Sequence, residues 1–370
     1  MHWLPAILIL PYFIILLKLY RRLFKLNSFN TPTDPVTFVS LVISCRNEQK
    51  HIPDILEDIA RQNYPEYLFE VIIVNDKSSD GTVLTISSFP GLNNILILDN
   101  KGEGKKQALR TGIIAAKGKL IITTDADCRM GKNWIRTIAA YYELNKPDMI
   151  ISPVRIESVP GLFGRFQELE FMSLQGITAG SALLGEPVLC NGANLAFTRE
   201  VYIKHSDNLH DEINSGDDIF LLYSLKKENQ SKILWLEAPD AMITTGSSPT
   251  LISFMKQRSR WISKANTYND TFTIVLGIAT FITIILQIAY LIALLINPYL
   301  IQVFLAILIL KSVPDFLILM NTSGRYGKSD LMKYFLPAQI IYPFYVLSVL
   351  LYTLIFPVKK NINSPFPKEI

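Results

Sequence analysis

The sequence predicts an α/β fold with a mostly parallel sheet, flanked by transmembrane helices. Three observations predict it. Short apolar runs alternate with helical patterns between residues 39 and 152, polar clusters follow those runs, and long apolar stretches lie outside them. Strands alternating with helices build parallel sheets covered on both faces.

Val39–Ser44 (VSLVIS), Glu70–Val74 (EVIIV), Ile95–Leu98 (ILIL), Leu120–Thr123 (LIIT) and Met149–Ser152 (MIIS) have strand length and little polarity. Between them, residues 48–63 place Ile52, Ile55, Leu56 and Ile59 on one helical face. Residues 105–116 do the same with Ala108, Leu109, Gly112 and Ile113. Parallel sheets bind ligands beyond the carboxyl ends of their strands. There the chain keeps CRNE (45–48), NDKSSDGT (75–82), DNKGEGKK (99–106) and TDAD (124–127). Four polar clusters on one predicted edge define a candidate site.

The flanks are apolar. Residues 3–20 (WLPAILILPYFIILLKLY) are followed by Arg21, Arg22 and Lys25. Charges after the run, without a small-residue cleavage site, read as a retained anchor whose basic end is cytoplasmic. Residues 272–296 are 25 residues without a charge, a helix of roughly 37 Å that crosses a bilayer with some tilt. The stretches 299–320 and 334–357 are less clean. The expected organisation is an anchor over 1–25, a cytoplasmic α/β domain over 26–270, a transmembrane region over 271–357 and a tail over 358–370. Lys256, Arg258, Arg260 and Lys264 precede the second span, and Arg325, Lys328 and Lys333 follow the third; both groups belong inside. A fourth full span would carry Lys359, Lys360 and Lys368 outside, whereas a re-entrant hairpin broken at Pro343 would not. Two to three C-terminal spans are therefore expected, in a multi-pass protein of the cell membrane.

Hydrophobic residues make up 49% of the 370, with a mean hydropathy of +0.27. Cys45, Cys128 and Cys190 are widely spaced without a C-x-x-C, which argues against disulfides and zinc. A net charge of +4, carried largely beside the spans, suits a membrane surface and argues against nucleic acid.

Asp125-Ala126-Asp127 offers hard oxygen ligands suited to Mg²⁺ or Mn²⁺, which bind through one or two carboxylates plus substrate phosphates. A turn capping the next helix explains the same residues. Asp76 is a strand-end carboxylate able to accept hydrogen bonds from a base or ribose, and also a plain turn residue. Gly102, Gly104 and Lys105 bring backbone N–H groups and a cation towards a phosphate, without the length or Ser/Thr of a Walker loop. SGDDIFLLYSL (215–225) puts Asp217 and Asp218 before an apolar helix, where the helix dipole alone favours acids. KQRSRWISK (256–264) resembles a membrane-interface marker, which accounts for Lys256 and Lys264 better than for Gln257, Arg260 and Trp261.

In order, CRNE, VNDKSSDGT, GEGKKQAL, TTDAD, CNGANLAF (190–197), SGDD and QRSRW resemble the membrane-bound family 2 glycosyltransferases of the GT-A fold, which include hyaluronan-, cellulose- and poly-N-acetylglucosamine-synthase-like enzymes. The resemblance covers residues 39–264. It implies a cytoplasmic GT-A catalytic domain that moves a sugar, with inversion, from a nucleotide-diphospho-sugar to a lipid or glycan hydroxyl at the membrane; the donor implied is a UDP-sugar. By the same resemblance Asp76 contacts the base, Asp125 the ribose and diphosphate, and Asp127, with Asp125, the metal. Glu48, Lys105, Asn191 and Gly192 fall in substrate-binding motifs. Asp218 is the implied catalytic base, and Gln257, Arg260 and Trp261 hold the diphosphate and the acceptor end. Where the family often has T-E-D this chain has G-D-D, which leaves Asp217 unassigned.

About three spans after the catalytic domain suit a lipid or short-glycan acceptor. A processive polysaccharide synthase is the enzymatic alternative. A catalytically silent membrane scaffold would be favoured had Asp127, Asp218 or Arg260 been lost, and all are present. Two further expectations are structural. Residues 160–185, with Phe163, Phe166, Leu169, Phe171, Met172 and Leu174, form either a core helix or an interfacial helix beside which a lipid acceptor enters. Lys311 and Asp315, four residues apart around Pro314, either pair inside the membrane region or lie shallow, with the lysine snorkelling.

Overall fold

The computed structural model describes residues 7–158, 160–209, 216–228, 231–264, 267 and 269–357. Ser215 and the basic tail residues Lys359, Lys360 and Lys368 lie outside them. The strands are β1 Val39–Cys45, β2 Phe69–Asn75, β3 Ile95–Asp99, β4 Leu120–Asp125, β5 Arg129–Met130, β6 Met149–Ile151, β7 Val154–Glu157, β8 Leu195–Thr198, β9 Ile233–Trp235 and β10 Ile243–Gly246. The α-helices are α1 Leu10–Phe24, α2 Ile52–Ala60, α3 Thr82–Ser87, α4 Lys105–Ala115, α5 Trp134–Asn145 and α6 Leu162–Leu184. They continue as α7 Arg199–His205, α8 Asp217–Lys226, α9 Leu251–Ile262, α10 Thr271–Ile296, α11 Ile301–Arg325 and α12 Phe335–Ile355.

The chain divides into two units. One, Asn27–Arg155 with Cys190–Gly246, holds the main sheet; the other holds the chain up to Leu26, Ile156–Leu189 and the chain from Ser247 onward. The sequence reading ran a single domain from 26 to 270. The structure instead groups α6 and α9 with the long apolar helices, because α6 buries its apolar surface on them.

The α/β unit is built on a seven-stranded sheet of order β3-β2-β1-β4-β8-β6-β9. The five runs expected as strands are all strands. Neighbours β3, β2, β1 and β4 run parallel, whereas β8 is antiparallel to β4 and β6. The Val and Ile residues of β1, β2 and β4 are buried, as continuous apolar strands require when helices cover both faces. Edge strand β3 is only half-buried. The register aligns Cys45 with Asn75, Asn75 with Asp99, and Ser44 with Asp125. All four polar clusters therefore leave the same edge of the sheet.

Among the described residues of the apolar unit, three helical segments are long and apolar enough to cross a membrane: Thr271–Ile296, Pro298–Arg325 and Ser329–Ile355. Helix α6 lies against both α11 and α1. A Cβ on Gly176 would stand 2.5 Å from Ile318 Cγ2, and one on Gly180 3.0 Å from Leu19 Cβ. Small residues four apart let helix backbones approach this closely. Within residues 160–185, Leu169, Phe171 and Met172 are buried as a core helix requires, while Phe163, Phe166 and Leu174 are half-buried. At the end of α1, Arg325 Nη2 donates to the carbonyls of Leu23 at 2.9 Å and Leu26 at 2.8 Å.

The break at Pro343 that the re-entrant alternative needs does not form, because α12 runs through it. Proline leaves the carbonyl four residues earlier without its helical donor. Here that carbonyl, Gln339 O, accepts from Gln287 Nε2 of α10 at 3.5 Å. Helix α11 likewise runs through Pro314. Lys311 is 2% exposed, so it does not snorkel. Its Nζ donates to Asp315 Oδ2 at 2.7 Å and to Gln339 Oε1.

Candidate functional site

In the α/β unit the loops after β1 to β4 carry most of the residues that the sequence singled out. Asp76 is 4% exposed and organises two loops. Its Oδ1 accepts from Asn100 Nδ2 at 2.6 Å and from Gly104 N at 3.0 Å. Gly104 adopts φ +87°, a left-handed conformation that favours glycine, and this turns its N–H back onto Asp76 at the start of α4. Arg46 Nη1 reaches Asp76 Oδ2 at 3.6 Å. The sequence reading missed Arg46, although CRNE contains it. Asp76 is therefore the loop's structural centre, and its Oδ2 also accepts from Gly104 N at 3.1 Å.

Glu48 anchors α2: its carbonyl accepts from the N–H groups of His51 and Ile52, both at 2.9 Å. Its carboxylate lies 2.9 Å from His51 Nδ1. Asp80 caps the following turn through Thr82 N at 3.0 Å; the Thr82 hydroxyl and these N–H groups hold its pKa below the usual carboxylate range.

Asp125 ends β4 half-buried, and Asp127 is exposed two residues on. Lys105, the first residue of α4, is ion-paired with Asp125. Partial desolvation opposes the charge of this solvent-exposed ammonium, but Asp125, then Asp217 and Asp218, outweigh it and raise the Lys105 pKa above its ordinary value. One cation thus stands within the electrostatic reach of three candidate carboxylates. Asp127 Oδ2 lies 3.4 Å from the Thr245 hydroxyl, its donor on β10.

Asn191 and Gly192 order the turn before β8. The Asn191 side chain accepts from Ala193 N at 3.0 Å and so caps its own turn. Gly192 donates its N–H to Asp218 Oδ2 at 3.0 Å, while its carbonyl accepts from Thr123 Oγ1 of β4 at 2.8 Å. Gly192 thereby ties Asp218 to the strand that ends in Asp125. Ile219 N donates to Asp218 Oδ1 at 2.8 Å. Each oxygen keeps a lone pair for a further donor. Asp217 and Asp218 form the first turn of α8, the position that the helix dipole favours for acids. Sequence reasoning also missed Asn194, fully buried. It accepts from Trp134 Nε1 at 3.0 Å and donates to the carbonyls of Pro153 and Ala241, both at 2.8 Å.

Gln257, Arg260 and Trp261 lie on α9 in the apolar unit. A capping box between Thr250 and Ser253 starts this helix. Arg260 is exposed, and Gln257 and Trp261 are half-buried. Arg258, counted above among the membrane-flanking cations, is instead 3% exposed and paired with Glu170 of α6. No interface marker needs such burial; the correction follows from the buried acid, which lies far off in sequence.

Parallel strands thus deliver an acidic pair, a lysine and a fixed aspartate to one sheet edge, the edge beyond which open α/β sheets bind ligands. Residues 40–205 match the model of Glycosyl transferase family 2. That segment is similar to family 2 glycosyltransferase domains. The chain is 26% identical over 258 residues to a poly-β-1,6-N-acetyl-D-glucosamine synthase from Staphylococcus epidermidis, covering 68% of this chain and 59% of that protein. With the synthase of the same name from Staphylococcus aureus strain COL it shares 27% identity over 241 residues, 62% of this chain and 54% of the relative. It therefore spans little more than half the length of these relatives. A mannosyltransferase from Pyrobaculum calidifontis, solved with GDP-Man and Mn²⁺, shares the fold at TM-score 0.54 and 16% identity, covering 92% of this chain and 98% of that one.

Proposed function

We propose that the chain is a membrane-bound, inverting glycosyltransferase that moves a sugar from a UDP-sugar to a lipid or growing-glycan hydroxyl at the cytoplasmic membrane face. The observation that carries the reading is the link Thr123–Gly192–Asp218, which holds a carboxylate at the strand that ends in Asp125, two residues before Asp127.

In this reading Asp76, with Arg46 beside it, receives the base, and Lys105 exchanges Asp125 for the diphosphate. Asp218 accepts the proton of the acceptor hydroxyl as that oxygen attacks the anomeric carbon opposite the departing diphosphate. One displacement inverts the centre and needs no covalent enzyme intermediate. The backbone donors Gly192 and Ile219 aim the carboxylate. Arg260 and Gln257 meet the diphosphate, and Trp261 the acceptor end.

The donor set fits a divalent cation. Asp127 is exposed and Asp125 offers a second hard oxygen donor, while the described residues contain no cluster of three or more His, Cys, Asp or Glu. Such a site suits Mg²⁺ or Mn²⁺ shared with substrate phosphates. Asp127 and Asp125 would hold the ion, whose chemistry there is to screen the charge of the leaving diphosphate.

The names of the Staphylococcus relatives favour N-acetylglucosamine as the sugar and support a second reading, processive synthesis of a glycan. The same experiment tests both. The purified chain in lipid nanodiscs is given UDP-sugars one at a time, and UDP release and product length are measured. A single short product supports the first reading and a long polymer the second. No turnover of any UDP-sugar would refute the proposal.

A further inference from the structure

Arg258 stands inside the Q-x-x-R-W stretch, yet it faces away from solvent. Its guanidinium makes a two-pronged bond to Glu170, with Nε 2.9 Å from Oε1 and Nη2 on Oε2. Glu170 Oε1 also accepts from the Tyr345 hydroxyl of α12 at 3.0 Å. On its other side, Nη1 donates to Gln257 Oε1 at 2.6 Å. The guanidinium carbon lies 4.1 Å from the Trp261 ring centroid and 4.5 Å from that of Phe254. One buried cation thus touches two of the three motif side chains.

We propose that Arg258, fixed by Glu170 and Tyr345, is a positioning residue that sets Gln257 and Trp261 for sugar transfer. The inference rests on the reading of Gln257 and Trp261 as site residues.

Three points support it. Together with the Ser248 hydroxyl at 3.4 Å, Arg258 occupies the Gln257 carbonyl oxygen and, as its shorter donor, sets which end of the amide is presented. The NH₂ end, which the structure gives no partner among the described residues, is the end that suits an anionic oxygen such as a diphosphate's. By stacking on Trp261, the guanidinium plane fixes the ring's tilt, a contact that a point charge such as lysine does not reproduce. And a buried ion pair contributes little net stability compared with apolar side chains of similar size, so burial energy alone does not account for this set. Through Glu170 and Tyr345, helices α6 and α12 join the frame that orients the motif.

The test uses the full chain in nanodiscs with UDP-N-acetylglucosamine and a native membrane extract as the source of acceptor. The readout is the ratio of sugar transferred to acceptor over sugar released to water, measured beside Tm. Replacing the pair together, Arg258→Met with Glu170→Leu, is expected to leave Tm within a few degrees while the ratio falls at least about tenfold, as for Trp261→Ala. Glu170→Gln alone, which keeps the volume and one acceptor oxygen, is the second variant and is expected to fall in the same direction; Arg258→Lys is expected not to restore the ratio. A wild-type ratio in Glu170→Gln or in the apolar pair, with the ratio lost in Trp261→Ala, would overturn the positioning role. A wild-type ratio in Trp261→Ala itself would overturn the motif reading beneath it.

Discussion

Lys311 and Asp315 form a closed ion pair inside the apolar unit, 2.7 Å apart on one face of α11. The carboxylate also accepts from the Tyr12 hydroxyl at 2.5 Å and from Gln339 Nε2 at 3.1 Å. The lysine lies 5.0 Å from the Tyr342 ring centroid. Helices α1, α11 and α12 are thereby joined by one polar knot, which borders a cavity of about 80 Å³. Lys311→Met should cost about 3–5 kcal/mol, because it strands a buried carboxylate. Lys311→Met with Asp315→Leu should cost less than the single change. Thermal unfolding in nanodiscs checks this, and additive losses would exclude the coupling.

Asp127→Asn should keep the fold and lose transfer by orders of magnitude, since one charged oxygen donor disappears from the proposed cation site. Chelation with EDTA should do the same to the unmodified chain, with recovery on adding Mg²⁺ or Mn²⁺. Full activity in either case contradicts metal assistance.

Asp218→Asn should lower transfer by roughly 10²–10⁴-fold while UDP affinity changes little. The amide keeps one acceptor oxygen but turns an NH₂ towards one of the two N–H donors, Gly192 and Ile219, so a modest fall in Tm is expected as well. Asp217→Asn should cost less. Isothermal titration with UDP separates the outcomes: collapse of UDP binding would make Asp218 a binding group.

Thiol labelling at pH 8 should modify Cys190 first, since it is half-exposed while Cys45 and Cys128 are buried. Burial, then the charges of Glu48, Asp76 and Asp80, pushes the Cys45 thiol up to about 12. The sign follows from proton uptake. The folded chain keeps this proton where an unfolded thiol, titrating near about 8.5, loses it. The stabilisation from a neutral Cys45 is therefore complete below that pH and lost as pH rises towards about 12. Rapid labelling of all three cysteines in the folded chain would refute the burial.

Strand positions were legible because a parallel strand is buried on both faces and must be apolar throughout, a property local to a few residues. The same holds for the apolar spans. Short strands such as β5 and β9 have no such pattern, and β8 was read only as part of a motif. Gly192 was placed in the site by resemblance, but its task of tying Asp218 to Thr123 depends on residues from three separate segments.

By itself, then, the sequence determined the alternation of strand and helix, the sheet edge where the carboxylates gather, and the stretches that prefer lipid to water. Periodicity and composition set those locally. Tertiary structure alone decided that Arg258 is buried, because its partner Glu170 lies 88 residues away. It also decided that α6 packs on α1 and α11, and that α12 continues through Pro343, whose lost bond is offset by Gln287. Each outcome turns on which group from a distant segment arrives to meet a buried charge, a bare carbonyl or a glycine face, and no local pattern encodes that.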